Sequence, residues 1–194
     1  MVWFFLMPRY TRSSRKIVQA PPLDAKIVAR QDKEEKPEIR DGYVLFWGSW
    51  PSNFWASPFV LDGVRWNCVE QWMHAEKARL FRDEETRDKI IASPYPMSQK
   101  DLGRQVRGYR DAVWKKKRYG VVLRGIVEKF RQNPRLRKLL LGTGSAKFVE
   151  CSPEDEVWGI GLKQSDPRAT DPSKWRGENL LGKALTAARA KLKK

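Results

Sequence analysis

The sequence predicts an α+β fold, a helix-rich single domain with a few short strands. Three observations carry this. Strand-type signal is confined to brief runs at 43–47, 59–61, 64–66 and 148–150. Most of the chain beyond Cys68 places its apolar residues at helical intervals. The length of 194 residues suits one ordinary domain plus an extension, and no internal repeat divides it.

The extension is residues 1–40. Pro8, Pro21, Pro22 and Pro37, with the mixed-charge run 30–36, leave little apolar surface to bury, so it reads as flexible and solvated with one short helix at most. The domain follows, from 41 to 194. Residues 43–47 (YVLFW) form a strand ending at Gly48, and 49–58 (SWPSNFWASP) an ordered aromatic loop. Residues 59–61 and 64–66 pair as a hairpin, because Asp62-Gly63 accepts the positive φ of a tight turn. Residues 68–81 make a helix with Val69, Trp72, Met73, Lys77 and Leu80 along one side and Asn67 as its N-cap. Further helices are expected at 83–92, 98–106, 109–130 and 135–141. Ser93-Pro94-Tyr95-Pro96 stops the first of these and Gly142 the last. A short strand at 148–150 precedes a loop, and 177–182 leads into a final helix whose basic end suits the helix dipole.

Lys and Arg number 39 against 23 Asp and Glu, a net charge of +16 that favours polyanions, anionic surfaces or phosphorylated small molecules. Nine Trp exceed what packing in so small a chain requires, so some are expected to line a site. His74 is the only histidine, and Cys68 and Cys151 form no C-x-x-C pattern. Zinc hydrolysis and a Ser-His-Asp triad are therefore set aside, no metal or cofactor is expected, and a reducing intracellular compartment is the default. No apolar run approaches the ~20 residues of a membrane span. Residues 1–7 (MVWFFLM) are too short for a secretory signal, while the Arg- and Ser-rich stretch 9–16 leaves nuclear or organellar targeting open. Oligomeric state is not legible.

Three stretches carry candidate chemistry. Glu70, His74 and Lys77 span close to two helical turns and project from nearly one side of their helix. The commoner fate of such a set is a solvated ladder. Val69, Trp72 and Met73 interleave with it, however, and partial desolvation moves a carboxylate and an amine toward useful pKa values. Residues 155–161 (DEVWGIG) combine a carboxylate, a stacking Trp and glycines that let backbone N–H groups approach a phosphate. From Lys100 to Arg118, basic residues alternate with Tyr109 and Trp114, which suits a phosphate-plus-base ligand or a solvated helical face equally. Residues 142–147 lack the spacing of a phosphate-binding P-loop.

Read together, these motifs resemble one family. They are Phe46-Trp47-Gly48, Trp50-x-Ser52-Asn53-Phe54, Asp62-Gly63, Glu70-Gln71 with Met73 and Lys77-Ala78, Leu102-Gly103-Arg104 and Trp114. They continue through Lys129-Phe130, Asn133-Pro134, 140–144, Val149-Glu150, Asp155-x-x-Trp158-Gly159-x-Gly161, and Trp175 through Asn179 to Gly182. Their order and spacing over about residues 43–192 are similar to the NADAR (YbiA-like) family, with Thr186 where the family often has Met. The resemblance implies the YbiA-like fold and a metal-independent N-glycosidase that cleaves a ribose C1′–N bond. It implies catalytic roles for Glu70, Lys77 and Asp155, and substrate binding by Phe46, Trp47, Asn53, Phe54, Arg104, Trp114, Trp158, Gly159 and Asn179. Known members remove ADP-ribose from guanine in nucleic acid or act on phosphorylated riboflavin-pathway intermediates. The net charge favours the first, ADP-ribosylated DNA or RNA, over the second. A non-catalytic ADP-ribose-binding module is the remaining alternative.

Overall fold

The computed structural model describes residues 17–31 and 36–193. The apolar run 1–7, the stretch 9–16, most of the charge run 30–36 and Lys194 lie outside them. Among the described residues the elements are β1 (Val18–Gln19), α1 (Ala25–Gln31), β2 (Glu38–Arg40), β3 (Tyr43–Phe46), β4 (Phe59–Leu61), β5 (Val64–Trp66), α2 (Val69–Leu80), α3 (Glu84–Ala92), α4 (Pro96–Arg104), α5 (Asp111–Gln132), α6 (Pro134–Gly142), β6 (Lys147–Glu150) and α7 (Leu180–Leu192). Two short 3-10 turns, Pro167–Thr170 and Pro172–Lys174, precede α7. The expected α+β class is what forms.

The strands make two small sheets, ordered β1-β5-β4 and β2-β3-β6. Asp62 (φ 52°) and Gly63 (φ 77°) both adopt positive φ, so the β4–β5 hairpin turns as its sequence requires. β6 runs parallel to β3, with Phe46 opposite Glu150, and α7 packs on it while α5 crosses between α2 and α7. Phe46, Phe59, Trp66, Trp72, Ile126, Phe130 and Phe148 fill the core between helices and sheets. A hydroxyl at Thr186 ties these layers together by accepting from Phe148 N and donating to Gly182 O.

Two local expectations are corrected. The cap of α2 is Cys68, not Asn67. The Asn67 amide instead donates to Pro21 O and Ser93 O and accepts from Gln99, tying the leading segment to the helical layer. The described parts of residues 1–40 are also docked by pairing, although most of their side chains remain exposed. β1 pairs with β5 and β2 with β3, Leu23 is buried, and the Gln31 amide bonds to Phe54 O and Ala56 N. Composition misled here because the docking uses backbone pairing and amide hydrogen bonds, not apolar area.

Candidate active site

A cavity of about 300 Å³ opens where α2, α4, α5, the end of β6 and the loops 49–58 and 151–161 converge. Glu70 lies in the first turn of α2 and is only 3% exposed, because the surrounding Val69, Trp72 and Met73 bury this helix on nearly every side. Its backbone N–H donates to Asn53 O, and its Oε1 faces His74 Nε2 at 2.9 Å, one turn along the helix. The Nδ1 of His74 is buried without a partner, sealed by Gly103, on which an added Cβ would sit 2.0 Å from that atom. The Nε2–Oε1 hydrogen bond is thus the contact that holds the imidazole and the Glu70 carboxyl in one mutual orientation.

The facing wall comes from α5. Asp111, Trp114 and Arg118 fall at helical spacing along one stripe and line the cavity together. Arg118 is buried and ion-paired to Glu178 at 2.8 Å. Phe54, Tyr109, Val157 and Trp158 complete the aromatic and apolar walls, and Lys100 supplies the second cation. Asp155 contributes a carboxyl whose Oδ1 accepts from the N–H groups of Val157 and Trp158, which fixes the turn that presents the Trp158 ring.

Glu150 ends β6 and also lines the cavity. Its Oε2 is sealed from solvent with no partner, and burial, reinforced by the neighbouring carboxyls of Asp155 and Glu70, pushes its carboxyl up to about 8. The Oδ1 of the buried Asn53 is likewise unpartnered at the same cavity. The loop carrying Asn53 and Phe54 is pinned from below by Lys129. This fully buried amine donates to Trp50 O and Ser52 O, and burial pushes it down to about 7.

Of the residues read from the sequence, Glu70, Asp155, Asn53, Phe54, Trp114 and Trp158 meet at the cavity. Six others do not line it. Phe46 is a core residue packed edge-on against Phe148. Trp47 is 55% exposed just beyond β3. Arg104 is exposed and paired with Asp101 at 3.5 Å. Gly159 is needed for backbone passage, since a Cβ there would meet Asp155 O at 2.9 Å and Glu150 O at 3.0 Å. Asn179 acts on the strand: its Oδ1 accepts from Glu150 N and its Nδ2 donates to Phe148 O, which fixes where Glu150 ends.

Lys77 is the sixth. Its Nζ donates to Gly103 O at 2.8 Å and sits 4.3 Å above the Tyr109 ring, behind the cavity wall. Burial, then the Arg104 charge, lowers its pKa. The sequence reading has Lys100 and Arg118 only as the ends of a basic run suited to a phosphate-plus-base ligand, and it misses Glu150 and Asp111 as lining groups. The 111/114/118 stripe was visible as helical spacing, whereas nothing in the sequence placed the end of β6 opposite α2.

The NADAR domain family matches residues 43–193. An N-glycosidase of Acanthamoeba polyphaga mimivirus is 43% identical over 121 residues, covering 62% of this chain and 71% of that protein. The N-glycosidase YbiA of Escherichia coli is 33% identical over 141 residues, covering 73% and 79%. The solution NMR structure of the E. coli protein superposes with a TM-score of 0.66 at 29% identity, over 81% of this chain and 89% of that one. A riboflavin biosynthesis protein of Vibrio vulnificus is 27% identical over 141 residues, 73% of this chain and 35% of that protein. With the family matched across more than three-quarters of its length and the fold shared, the chain belongs to the NADAR domain family.

Proposed function

We propose that this protein is an N-glycosidase that hydrolyses the C1′–N bond of a phosphorylated riboside, and that its substrate is ADP-ribosylated guanine in DNA or RNA. The observation that carries the reaction class is the carboxyl-rich lining of the cavity. Four carboxyl groups, Glu70, Asp111, Glu150 and Asp155, line it against two cations, Lys100 and Arg118. Such a lining suits a centre on which positive charge develops, as C1′ does when the base departs. It does not suit a diphosphate. Aromatic faces at Phe54, Tyr109, Trp114 and Trp158 suit the base and sugar, and the unpartnered Asn53 Oδ1 is a ready acceptor for a hydroxyl or base N–H. N-glycosidase relatives at 33% and 43% identity support the same class.

The phosphates then belong outside, where Lys115, Lys116 and Lys117 are exposed on α5 directly after Trp114. That footprint is wider than a single phosphorylated metabolite requires, which favours a substrate attached to a polyanion. The competing substrate, a phosphoribosylamino-pyrimidine of the riboflavin pathway, is supported by the Vibrio vulnificus relative. The deciding experiment presents both: an oligonucleotide bearing ADP-ribosyl-guanine and the pyrimidine ribotide. Oligonucleotide cleavage is expected to be faster and to decline with added salt. Faster pyrimidine cleavage without salt dependence overturns the substrate assignment. Binding of ADP-ribose with no base release from either overturns the reaction.

A second route runs through Lys77, whose depressed pKa suits an amine that attacks C1′ of the opened sugar. It would require the amine to leave Gly103 O and pass the Tyr109 ring. Under this route, borohydride added during turnover fixes a sugar-phosphate adduct on Lys77, read by mass spectrometry. An unmodified Lys77 together with an active Lys77→Arg enzyme leaves the residue as a half-buried positive charge.

A further inference from the structure

We propose that Glu150 is the general acid of this site, the group that protonates the departing nitrogen; the assignment rests on the N-glycosidase reading. Geometry selects it among the four carboxyls. Glu70 Oε1 is engaged by His74, and Asp155 Oδ1 by two backbone N–H groups, so both are held as acceptors. Asp111 sits exposed at the start of α5, where it accepts from Tyr109 Oη. Glu150 alone among the four combines a place on the cavity wall with a carboxyl oxygen, Oε2, that is shut off from water and has no hydrogen-bond partner among the described residues. A carboxyl in that setting is most stable as the protonated acid.

The titratable and charged groups that share the cavity with Glu150 are Glu70 and His74 from α2, Lys100 from α4, Tyr109 from just before α5, Asp111 and Arg118 from α5, and Asp155 from the following loop. Asp155 and Glu70 raise the Glu150 carboxyl after burial does, and Lys100 opposes them, leaving it at about 8. The acid is therefore loaded at neutral pH. In the step itself the Glu150 O–H passes its proton to the leaving nitrogen as the C1′–N electron pair moves onto that nitrogen. The Glu70 carboxylate faces the positive charge left on the sugar. Water then adds to C1′ and returns a proton to Glu150, so the acid is regenerated and the sum is hydrolysis alone.

Position is secured from behind. Asn179 holds Glu150 N, and β6 lies in register with β3 so that Phe46 faces it. Neither contact touches the carboxyl, which leaves Glu150→Gln close to isosteric.

The test is Glu150→Gln beside Glu150→Asp and the wild type. It uses phosphoribosylamino compounds whose leaving amines span a range of basicity. In the wild type, kcat is expected to fall as pH rises through about 8. Glu150→Gln is expected to lose ~10²-fold or more and to lose that alkaline limb, while Glu150→Asp keeps the limb. The glutamine enzyme should also depend more steeply on leaving-group basicity, since it cannot assist departure. Equal slopes, or an alkaline limb that survives in Glu150→Gln, overturn the assignment while the N-glycosidase reading stands. A wild type that releases no base from any riboside overturns both.

A second readout needs no substrate. A carboxyl raised from 4.5 to about 8 binds a proton in the folded state that the unfolded chain has released. Its contribution to stability is complete below about pH 4.5 and is lost as pH rises through about 8. Denaturant midpoints should therefore fall over that window in the wild type more than in Glu150→Gln. Parallel curves for the two proteins count against a protonated Glu150.

Discussion

Replacing Glu70 with Gln is expected to lower kcat by ~10²-fold or more while the fold and ligand affinity persist, the range over which a positioned carboxylate contributes. Glutamine is nearly the same shape, and its amide oxygen can still accept from His74 Nε2. The backbone N–H of residue 70 keeps its bond to Asn53 O whatever the side chain. What disappears is the negative charge at a position only 3% exposed, where Coulomb interactions are several-fold stronger than in water. Single-turnover base release, with a melting curve alongside, separates the two contributions. Undiminished release from Glu70→Gln would move the charge-stabilising role to Asp155, the other carboxyl fixed at this wall.

The contrast between Glu70 and Lys77 shows how far the sequence could be read. Seven residues of helix do bring the two onto related faces, but burial and neighbours decide what each side chain does. Glu70 turns into the cavity because His74, one turn on, holds it there, and Lys77 turns to Gly103 O on α4. Helices α2 to α7 were legible from their apolar spacing, and the hairpin from Asp62-Gly63, because both signals are local. Non-local arrangements left no such trace. The parallel pairing of β3 with β6, separated by about a hundred residues, is what brings Glu150 beside Glu70. Docking of β1 and β2 likewise depends on backbone groups that every sequence carries.

Motif reasoning also assigned binding roles to residues that make architectural contacts in the fold. Gly159 and Asn179 sit beside the cavity wall, so a fixed role in shaping it is hard to distinguish in sequence from contact with a ligand. The structure separates these roles. Asn179, in a left-handed conformation at the start of α7 (φ 52°), uses both amide atoms on β6, and Gly159 lets two backbone carbonyls approach. Lys129 is a further case. A buried amine is costly, yet here it gathers Trp50 O and Ser52 O and so sets the height of the loop that bears Asn53.

The same logic makes Gly103 a glycine whose replacement should cost function for one added methyl. In an exposed helix, Gly→Ala gains about 1 kcal/mol from backbone entropy and propensity. Gly120 in α5 is such a position, exposed with nothing within 4 Å of its would-be Cβ, and Gly120→Ala is expected to raise the melting temperature by ~2–4 °C. At Gly103 the Cβ would lie 2.0 Å from His74 Nδ1, 2.4 Å from Cγ and 2.8 Å from Cε1. That ring is buried and tied to Glu70 through its other nitrogen, so it cannot give way without releasing the carboxylate. Overpacking of this kind costs about 1–3 kcal/mol, which outweighs the helical gain. Gly103→Ala is therefore expected to melt below wild type and to lose most of its turnover, with kcat falling more than substrate affinity, since the ring that orients Glu70 is displaced. Adding His74→Ala in the same chain removes the clash but not the functional loss. The double variant should regain stability relative to Gly103→Ala and stay slow, the non-additivity expected of groups in contact. A Gly103→Ala protein as stable and as fast as Gly120→Ala would show that His74 is free to move and does not hold Glu70.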